Sequence, residues 1–578
     1  MHVLLRLTAG LTTLTVLQGM SSPPAFAQPS APDAGALLRE SERSLQAPRN
    51  APTPLASAPV ARPMPEDDKE ARITVQQLRI AGNSLIPLSE LQPLVADRLG
   101  QSLTLAELEQ AAQRIAEHYR THGWYVRVYL PQQDVTDGSV LLQVLEGRYG
   151  GSRIDAQSPH VRANAAQVEA TINHRLQPGA PLSAADLERG LLLSNDLPGI
   201  YATGVLLAGK QQGEIMLNVS VQDTPWISAD IGLNNHGVPS TGRTQAVGGV
   251  ALNNLSGSGD QLALRLLAAQ DIRSAVLRYA LPLGHDGLRL TAHASTLDYE
   301  LGGRYRALQA EGTAHTVGLA LSYPLVRQAT QNLTLSAGYE HRRYADDMLD
   351  TPLRRHRIHA IHLGANGDWQ DAWGGGGINW GSMQLTHGRL ALRDVNGDPA
   401  IDAATARTAG SYTRLAWSLN RLHNLGSSMG GSWQVQAALS GQLASGNLAS
   451  SERMTLGGPS QLRAYPVNEA SGDAGVLLQL ELLRQLSPGW QALVFYDAGY
   501  IRQHQRPWAG WNADSGQPNS YRLSGAGLGL RWQHRQWQLS ASIAKPLGRN
   551  PGQSADGHNN DGSRARSLRG WLAVSYLL

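Results

Sequence analysis

The chain has no cysteine among its 578 residues, which excludes disulfides, thiolate catalysis and cysteine-ligated metal together. Charge is scarce. Asp, Glu, Lys and Arg make up 16%, against about 25% in soluble globular chains. Phe is nearly missing at 2 residues, whereas Tyr and Trp number 17 and 13. Those two pair an apolar body with a polar tip, which suits a membrane–water interface. The formal net charge is only +3, without a basic run, so nucleic acid is not an expected partner. No stretch beyond the N-terminal segment reaches the roughly 18 consecutive apolar residues of a transmembrane helix.

What is present is alternation. From about Trp226 to Leu578 short runs of apolar and polar residues alternate between Gly/Asn/Asp/Ser/Pro turns, and period two puts successive side chains on opposite faces of a strand. Clear runs are 261–267, 274–281, 288–295, 316–323, 333–339, 433–439, 523–532, 537–543 and 570–578, with 378–384 less regular. We count about sixteen, an even number as bacterial outer-membrane barrels require. A closed sheet satisfies its backbone without water. The fold expected for 224–578 is therefore an antiparallel transmembrane β-barrel.

Ahead of it, residues 1–27 read as a secretory signal: His2 and Arg6, an apolar stretch from Leu7 to Leu17, then Ala25-Phe26-Ala27 as the cleavage site. Residues 28–46 hold a helical candidate, Asp33 to Gln46, with Leu37, Leu38 and Leu45 as an apolar stripe beside Arg39, Glu40, Glu42 and Arg43. Alone it is too short to be stable in water, so it must dock somewhere or fray. Residues 47–72 are rich in proline and read as an extended linker.

Two similar α+β units follow, 73–148 and 149–223. The first has a strand over Ile73 to Ile80, a capping box at Thr104-Leu105-Ala106-Glu107, a helix ended by Gly123, and strands at 125–130 and 140–145. The second repeats the order with a strand near Ile154, Ser183-Ala184-Ala185-Asp186, a helix over 187–193, Gly199, and strands at 201–207 and 215–221. The constant spacing points to a duplicated module whose open sheet edges can pair with an extended chain.

Strings that suggest enzymes fail on context, and neither a catalytic residue nor a cofactor nor a metal site is expected. Gly426-Ser427-Ser428-Met429-Gly430 lies between two strands instead of in a strand-to-helix elbow. His356, His359 and His362 alternate faces along a strand and cannot converge. Asp394 to Asp398 opens like a calcium loop, but Pro399 and Thr405 replace the required Gly and Glu. Gly525, Gly527 and Gly529 clear one strand face, so another piece of protein should pack closely there.

Two segments are more specific. Leu456-Gly457-Gly458-Pro459-Ser460-Gln461-Leu462-Arg463-Ala464-Tyr465 lies in a long connection from about Ala444 to Asp473, a length usually kept for function. Phe495-Tyr496-Asp497-Ala498-Gly499 lies within a strand whose Ala492, Val494, Tyr496, Ala498 and Tyr500 form an apolar face, so Asp497 points the other way. A carboxylate there needs a partner, and an arginine on an infolded loop supplies one.

These parts in this order resemble an outer-membrane transporter of two-partner secretion, the TpsB family. Leu462-Arg463-Ala464-Tyr465 is similar to that family's V-R-G-Y loop tip, departing at Leu462 and Ala464, and Phe495-x-Asp497 to its F-x-D strand motif. Asn254 to Asp260 resembles an early barrel hairpin of these proteins. The resemblance implies a plug helix at 28–46, two periplasmic POTRA domains and a sixteen-stranded barrel in the outer membrane of a Gram-negative bacterium. It further implies a lumenal lock made by Arg463, Tyr465, Phe495 and Asp497, with no cofactor. The partners implied are outer-membrane lipid and a large exoprotein of haemolysin or adhesin type, held unfolded by the POTRA pair. An assembly factor of the same superfamily is the alternative; it would carry more POTRA repeats and lack the plug and linker.

Overall fold

The computed structural model describes residues 31–45, 72–155, 162–428, 431–513, 515–554 and 556–578. The expected signal lies outside the described residues, as do all but the last residue of the expected linker and Met429-Gly430 of the serine string.

The first helix, α1 (Ala34–Leu45), is followed by two α+β modules. The first contains β1 (Ile73–Thr74), β2 (Gln77–Ala81), α2 (Leu88–Leu91), β3 (Ser102–Leu103), α3 (Leu105–Thr121), β4 (Val126–Tyr129) and β5 (Ser139–Glu146). The strand expected over 73–80 is broken, because the backbone changes partner at its middle. Val75 N–H donates to the Gln101 carbonyl at 2.9 Å and Gln76 N–H to that of Gly138 at 2.8 Å. β1 thus pairs with β3, whereas β2 joins a sheet of order β2-β5-β4. The capping box forms fully: Thr104 Oγ1 accepts from Glu107 N–H at 3.2 Å, and Glu107 Oε2 accepts from Thr104 N–H at 2.7 Å. α3 buries Leu108, Ala112, Ile115 and Tyr119 against Val140 and Leu142 of the sheet.

The second module comprises β6 (Arg148–Ile154), α4 (Ala165–Asn173), α5 (Ala184–Asn195), β7 (Ile200–Ala208) and β8 (Glu214–Asp223), in the order β6-β8-β7. In both three-stranded sheets the last strand in sequence is central, parallel to the first strand of that sheet and antiparallel to its neighbour in the chain. Ser183 makes half of the same cap, accepting from Asp186 N–H at 3.2 Å; the shorter Asp side chain does not reproduce the reciprocal bond of the first cap.

Sixteen antiparallel strands, β9 (Ile227–Asn234) to β24 (Arg569–Leu577), close into a barrel. Closure comes from β24 pairing with β9, from Asn234 opposite Ala573 to Asp230 opposite Leu577. On β21 (Trp490–Arg502) Val494, Tyr496 and Tyr500 face outward, 41–53% exposed, while Phe495 and Asp497 face the lumen at 2% and 0%. Turns on the side that receives the second module are short, residues 488–489 between β20 (Ala474–Ser487) and β21 being one example. Aromatic pairs gather at that rim, Trp490 with Trp532 and Trp537 with Tyr576, as an interfacial girdle would.

The second module is fixed to the barrel through a turn. Asp286, between β12 (Ile272–Pro282) and β13 (Arg289–Glu300), accepts from Arg189 at 3.0 Å, Arg175 at 3.0 Å and Tyr323 at 2.6 Å. Burial by itself would raise this carboxyl, but the hydrogen bonds from Tyr323, Arg175 and Arg189 hold it down at about 2.

Candidate functional site

The connection between β19 (Gly431–Ala444) and β20 folds into the lumen and is wrapped on itself. Leu456 and Gly457 N–H both donate to the Glu469 carbonyl at 3.0 Å, and Leu462 N–H donates to that of Leu456 at 2.8 Å. Gly457 has no room for a side chain, since a Cβ would lie 2.1 Å from the Pro466 carbonyl oxygen; Gly458 has φ +135°. With Pro459 between them and Gln461, these glycines turn the chain so that Leu462, Arg463, Ala464 and Tyr465 all end up buried. Ala464 is not in the left-handed region, so the tip does not need the glycine it lacks. The room comes from across the lumen: a Cβ on Gly525 of β22 (Ser520–His534) would lie 2.3 Å from the Ala464 methyl. Close packing against Gly525 therefore has a partner in the loop, whereas Gly527 and Gly529 clear space for Phe495 and Leu493 of β21.

Arg463 and Asp497 meet as a bidentate pair. Nε donates to Oδ2 at 2.9 Å and Nη2 to Oδ1 at 2.6 Å, while the Arg463 backbone N–H adds a third bond to Oδ2 at 3.1 Å. The remaining guanidinium edge binds Glu481 Oε1 at 2.5 Å, and Arg531 closes the network on Glu481 Oε2 at 2.9 Å. The Arg463 plane lies 3.5 Å from the centre of the Phe495 ring, so the phenyl group provides both packing and a cation–π face. Trp571 Nε1 donates to the Arg463 carbonyl at 2.8 Å. Every polar group of this arginine is thus met, as burial of a charge requires. Tyr465 packs in the same apolar cluster as Phe495, Leu462 and Leu456.

A second anchor holds the base of the loop, and sequence reasoning missed it. Glu452 is fully buried, with Arg342 of β15 (Gln331–Met348) at 2.7 Å and Arg414 of β18 (Gly410–Ser428) at 3.4 Å. Its carbonyl accepts from Gln442 at 2.9 Å. Arg342 also pairs with Glu340, which faces His293 at 3.4 Å and His362 at 3.2 Å. His356 and His362 point inward and His359 outward, as alternation demands.

α1 lies in the lumen against both the wall and this loop. Leu37, Leu38 and Leu45, at 3% exposure or less, join an apolar cluster with Leu297, Tyr299 and Ile358 of the wall. Ala34 N–H donates to Asp346 Oδ1 at 2.7 Å. On the other flank Arg39 donates to the carbonyls of Ser450 and Arg453, both at 2.5 Å, and Arg43 to Gln461 at 3.0 Å. Asn468 donates to Glu40 at 2.8 Å. A Cβ on Gly35 would stand 2.8 Å from Ser450 Oγ, so helix and loop touch almost backbone to backbone. Burial pushes Glu40 up to about 7, against the opposing pull of Arg43, Asn468 and Arg39. The only hint of this in the sequence was the set of ionic residues beside the leucine stripe.

The family model for the haemolysin secretion/activation proteins ShlB/FhaC/HecB matches residues 213–532, and that for the ShlB-type POTRA domain matches 73–147. The haem/haemopexin transporter protein HuxB of Haemophilus influenzae is 27% identical over 540 residues, covering 91% of this chain and 93% of that protein. The outer membrane transporter CdiB of Dickeya dadantii is 24% identical, covering 75% and 77%. Among solved structures, CdiB from Escherichia coli superposes with a TM-score of 0.67 at 20% identity, covering 96% of this chain and all of that one. BamA from Haemophilus ducreyi, lacking POTRA domains 1–3, is more distant in fold, with a TM-score of 0.51 at 16% identity over 87% of this chain and all of that one.

Proposed function

This chain belongs to the haemolysin secretion/activation family of outer-membrane two-partner secretion transporters, and from that premise we propose how it captures and gates its partner. It is an outer-membrane pore that exports a partner exoprotein, with its POTRA modules on the periplasmic side. The relatives are named for different cargoes, haem/haemopexin and haemolysin among them, so the shared step carries over and a particular cargo does not.

The observation behind the gating proposal is the filling of the lumen. Among the described residues two elements occupy it, α1 and the infolded loop; hydrogen bonds tie α1 to the wall and charge pairs tie the loop, and both kinds of contact can be exchanged for water. In our reading, α1 leaves first. Its departure unties Arg39 from the Ser450 and Arg453 carbonyls, while Arg463–Asp497 keeps the loop tip in register beside the passing chain. Residues 28–46 thus act as the plug, 73–148 and 149–223 as the capture modules, and 224–578 as the pore.

Capture rests on open sheet edges. β4 is a short edge of four residues in the first module, while β7 is a nine-residue edge in the second. Along β7, Tyr201, Val205 and Leu207 are 49–59% exposed, so an unfolded chain would find backbone partners and apolar contact together. The first module lies farther from the barrel, but edge length and apolar exposure favour β7 for first contact. A photocrosslinking residue at Val205 should trap the partner's N-terminal secretion domain in secreting cells. Leu206→Pro, which removes a donor, should weaken that crosslink and slow secretion. Crosslinks confined to lumenal positions would move recognition into the barrel.

A further inference from the structure

In the first module one group of side chains takes no part in the lumen or in strand capture. Glu90 on α2, His118 in the last turn of α3 and His122 at its C-cap each bring one donor atom to within 4.8 Å of the other two. Helical spacing accounts for two of them, since residues i and i+4 share a face, and the imidazole centres are 4.3 Å apart. Packing adds the third: α2 sits beside the C-terminal end of α3 and leaves Glu90 Oε2 3.9 Å from His118 Nε2.

Two details prepare the imidazoles as ligands. His122 Nδ1 lies 2.7 Å from the His118 carbonyl, so the proton belongs on that nitrogen and Nε2 keeps its lone pair. A metal-bound histidine has its tautomer and ring orientation fixed in this way. His118 Nε2 is itself shielded from solvent and makes no hydrogen bond. Its 3.9 Å separation from the carboxylate is too long for one. A tetrahedral ion with ligands at about 2.0–2.2 Å would draw the two atoms to about 3.4 Å apart, a small shift open to the exposed Glu90 side chain. Arg114, one turn earlier on α3, is already paired with Asp97 at 2.9 Å, so its charge is offset near the site.

We propose that Glu90, His118 and His122 form a binding site for a divalent transition-metal ion of the zinc class, with water completing the coordination. Two imidazoles and one carboxylate favour zinc, nickel or copper over the all-oxygen preference of calcium and magnesium. A bound ion ties α2 to the end of α3, next to Gly123 and just before the β4 edge. The site stands apart from the secretion reading and does not depend on it.

Calorimetric titration of the purified full-length protein in detergent with zinc chloride tests this directly. The expected result is one saturable equivalent of zinc that calcium chloride does not reproduce. His122→Ala and His118→Gln should each lose it, and Glu90→Gln should weaken it. His122 is exposed, so its replacement leaves the module folded. The chain has 18 histidines, and a His122→Ala titration that superimposes on the wild type would assign the heat to others and overturn the site. A wild-type titration without a saturable equivalent would overturn it as well.

Discussion

The infolded loop is held at two places by the same chemistry, a buried carboxylate against arginine, yet the two anchors differ in kind. At the tip the arginine is on the loop and the carboxylates, Asp497 and Glu481, are on the wall. At the base the polarity is reversed, with Glu452 on the loop and Arg342 and Arg414 on the wall. The tip is also planar and packed, one guanidinium bidentate on Asp497 and stacked on Phe495. The base is more redundant, because Arg342 keeps Glu340 as a second partner. Asp497 depends on one guanidinium, which sets position, whereas Glu452 shares two, so the base tolerates the loss of one member.

Breaking the tip should therefore do the most damage. Arg463→Ala leaves Asp497, fully buried, without its counter-charge, at a cost of about 3–5 kcal/mol. Secretion of the partner should be abolished while the barrel still inserts, as read by immunoblots of supernatant and outer membrane. Wild-type secretion would remove the lock from the mechanism. Glu452→Gln should cost less, about 1–3 kcal/mol, since Arg342 still has Glu340 and the residue's backbone contacts persist. Secretion should fall without vanishing, and the heat-modifiable band of the folded barrel should shift to the unfolded position at lower temperature than wild type. A Glu452 variant as inactive as Arg463→Ala would mean that both anchors are positional.

The smallest effect concerns the plug, which touches the loop near its base. Glu40 is pushed up to about 7 in the plugged state, from an ordinary 4.5; it is buried first of all, with Arg43, Asn468 and Arg39 opposing. The plugged state thus holds a proton that the released helix gives up. Its stabilisation is complete below about 4.5 and is lost as pH rises through about 7. Single-channel recordings should show full openings more often at pH 8 than at pH 5 with secretion little changed. Glu40→Gln should flatten that dependence, and an unaltered slope would assign it to another group such as Glu469, which is also raised to about 7 by burial.

Much of this was legible in advance for a reason that the two anchors make plain. Period-two alternation depends only on which side of the wall a residue faces, so strand count, the inward direction of Asp497 and the split among His356, His359 and His362 followed from local sequence. The capping boxes and the spacing of the duplicated modules are local as well. The break between β1 and β2 was not, because Gln101 and Gly138 draw the backbone of Val75 and Gln76 away from a common sheet.

The sequence by itself determined the barrel and the modules, since both are written in short-range pattern, whereas the pairing of the loop motif with the strand motif was implied by the family resemblance. Tertiary structure alone decided what the charges of α1 and the loop base do. Arg39 meets Ser450 and Arg453 more than 400 positions away, and Glu452 meets Arg342 at a separation of 110. Those partners are selected by barrel register and by how deep the helix sits in the lumen. The same holds for Glu90, brought to the two histidines only when α2 packs on α3. Coulombic and hydrogen-bond partners depend on distance in space, and nothing in a linear pattern of residue types carries that distance.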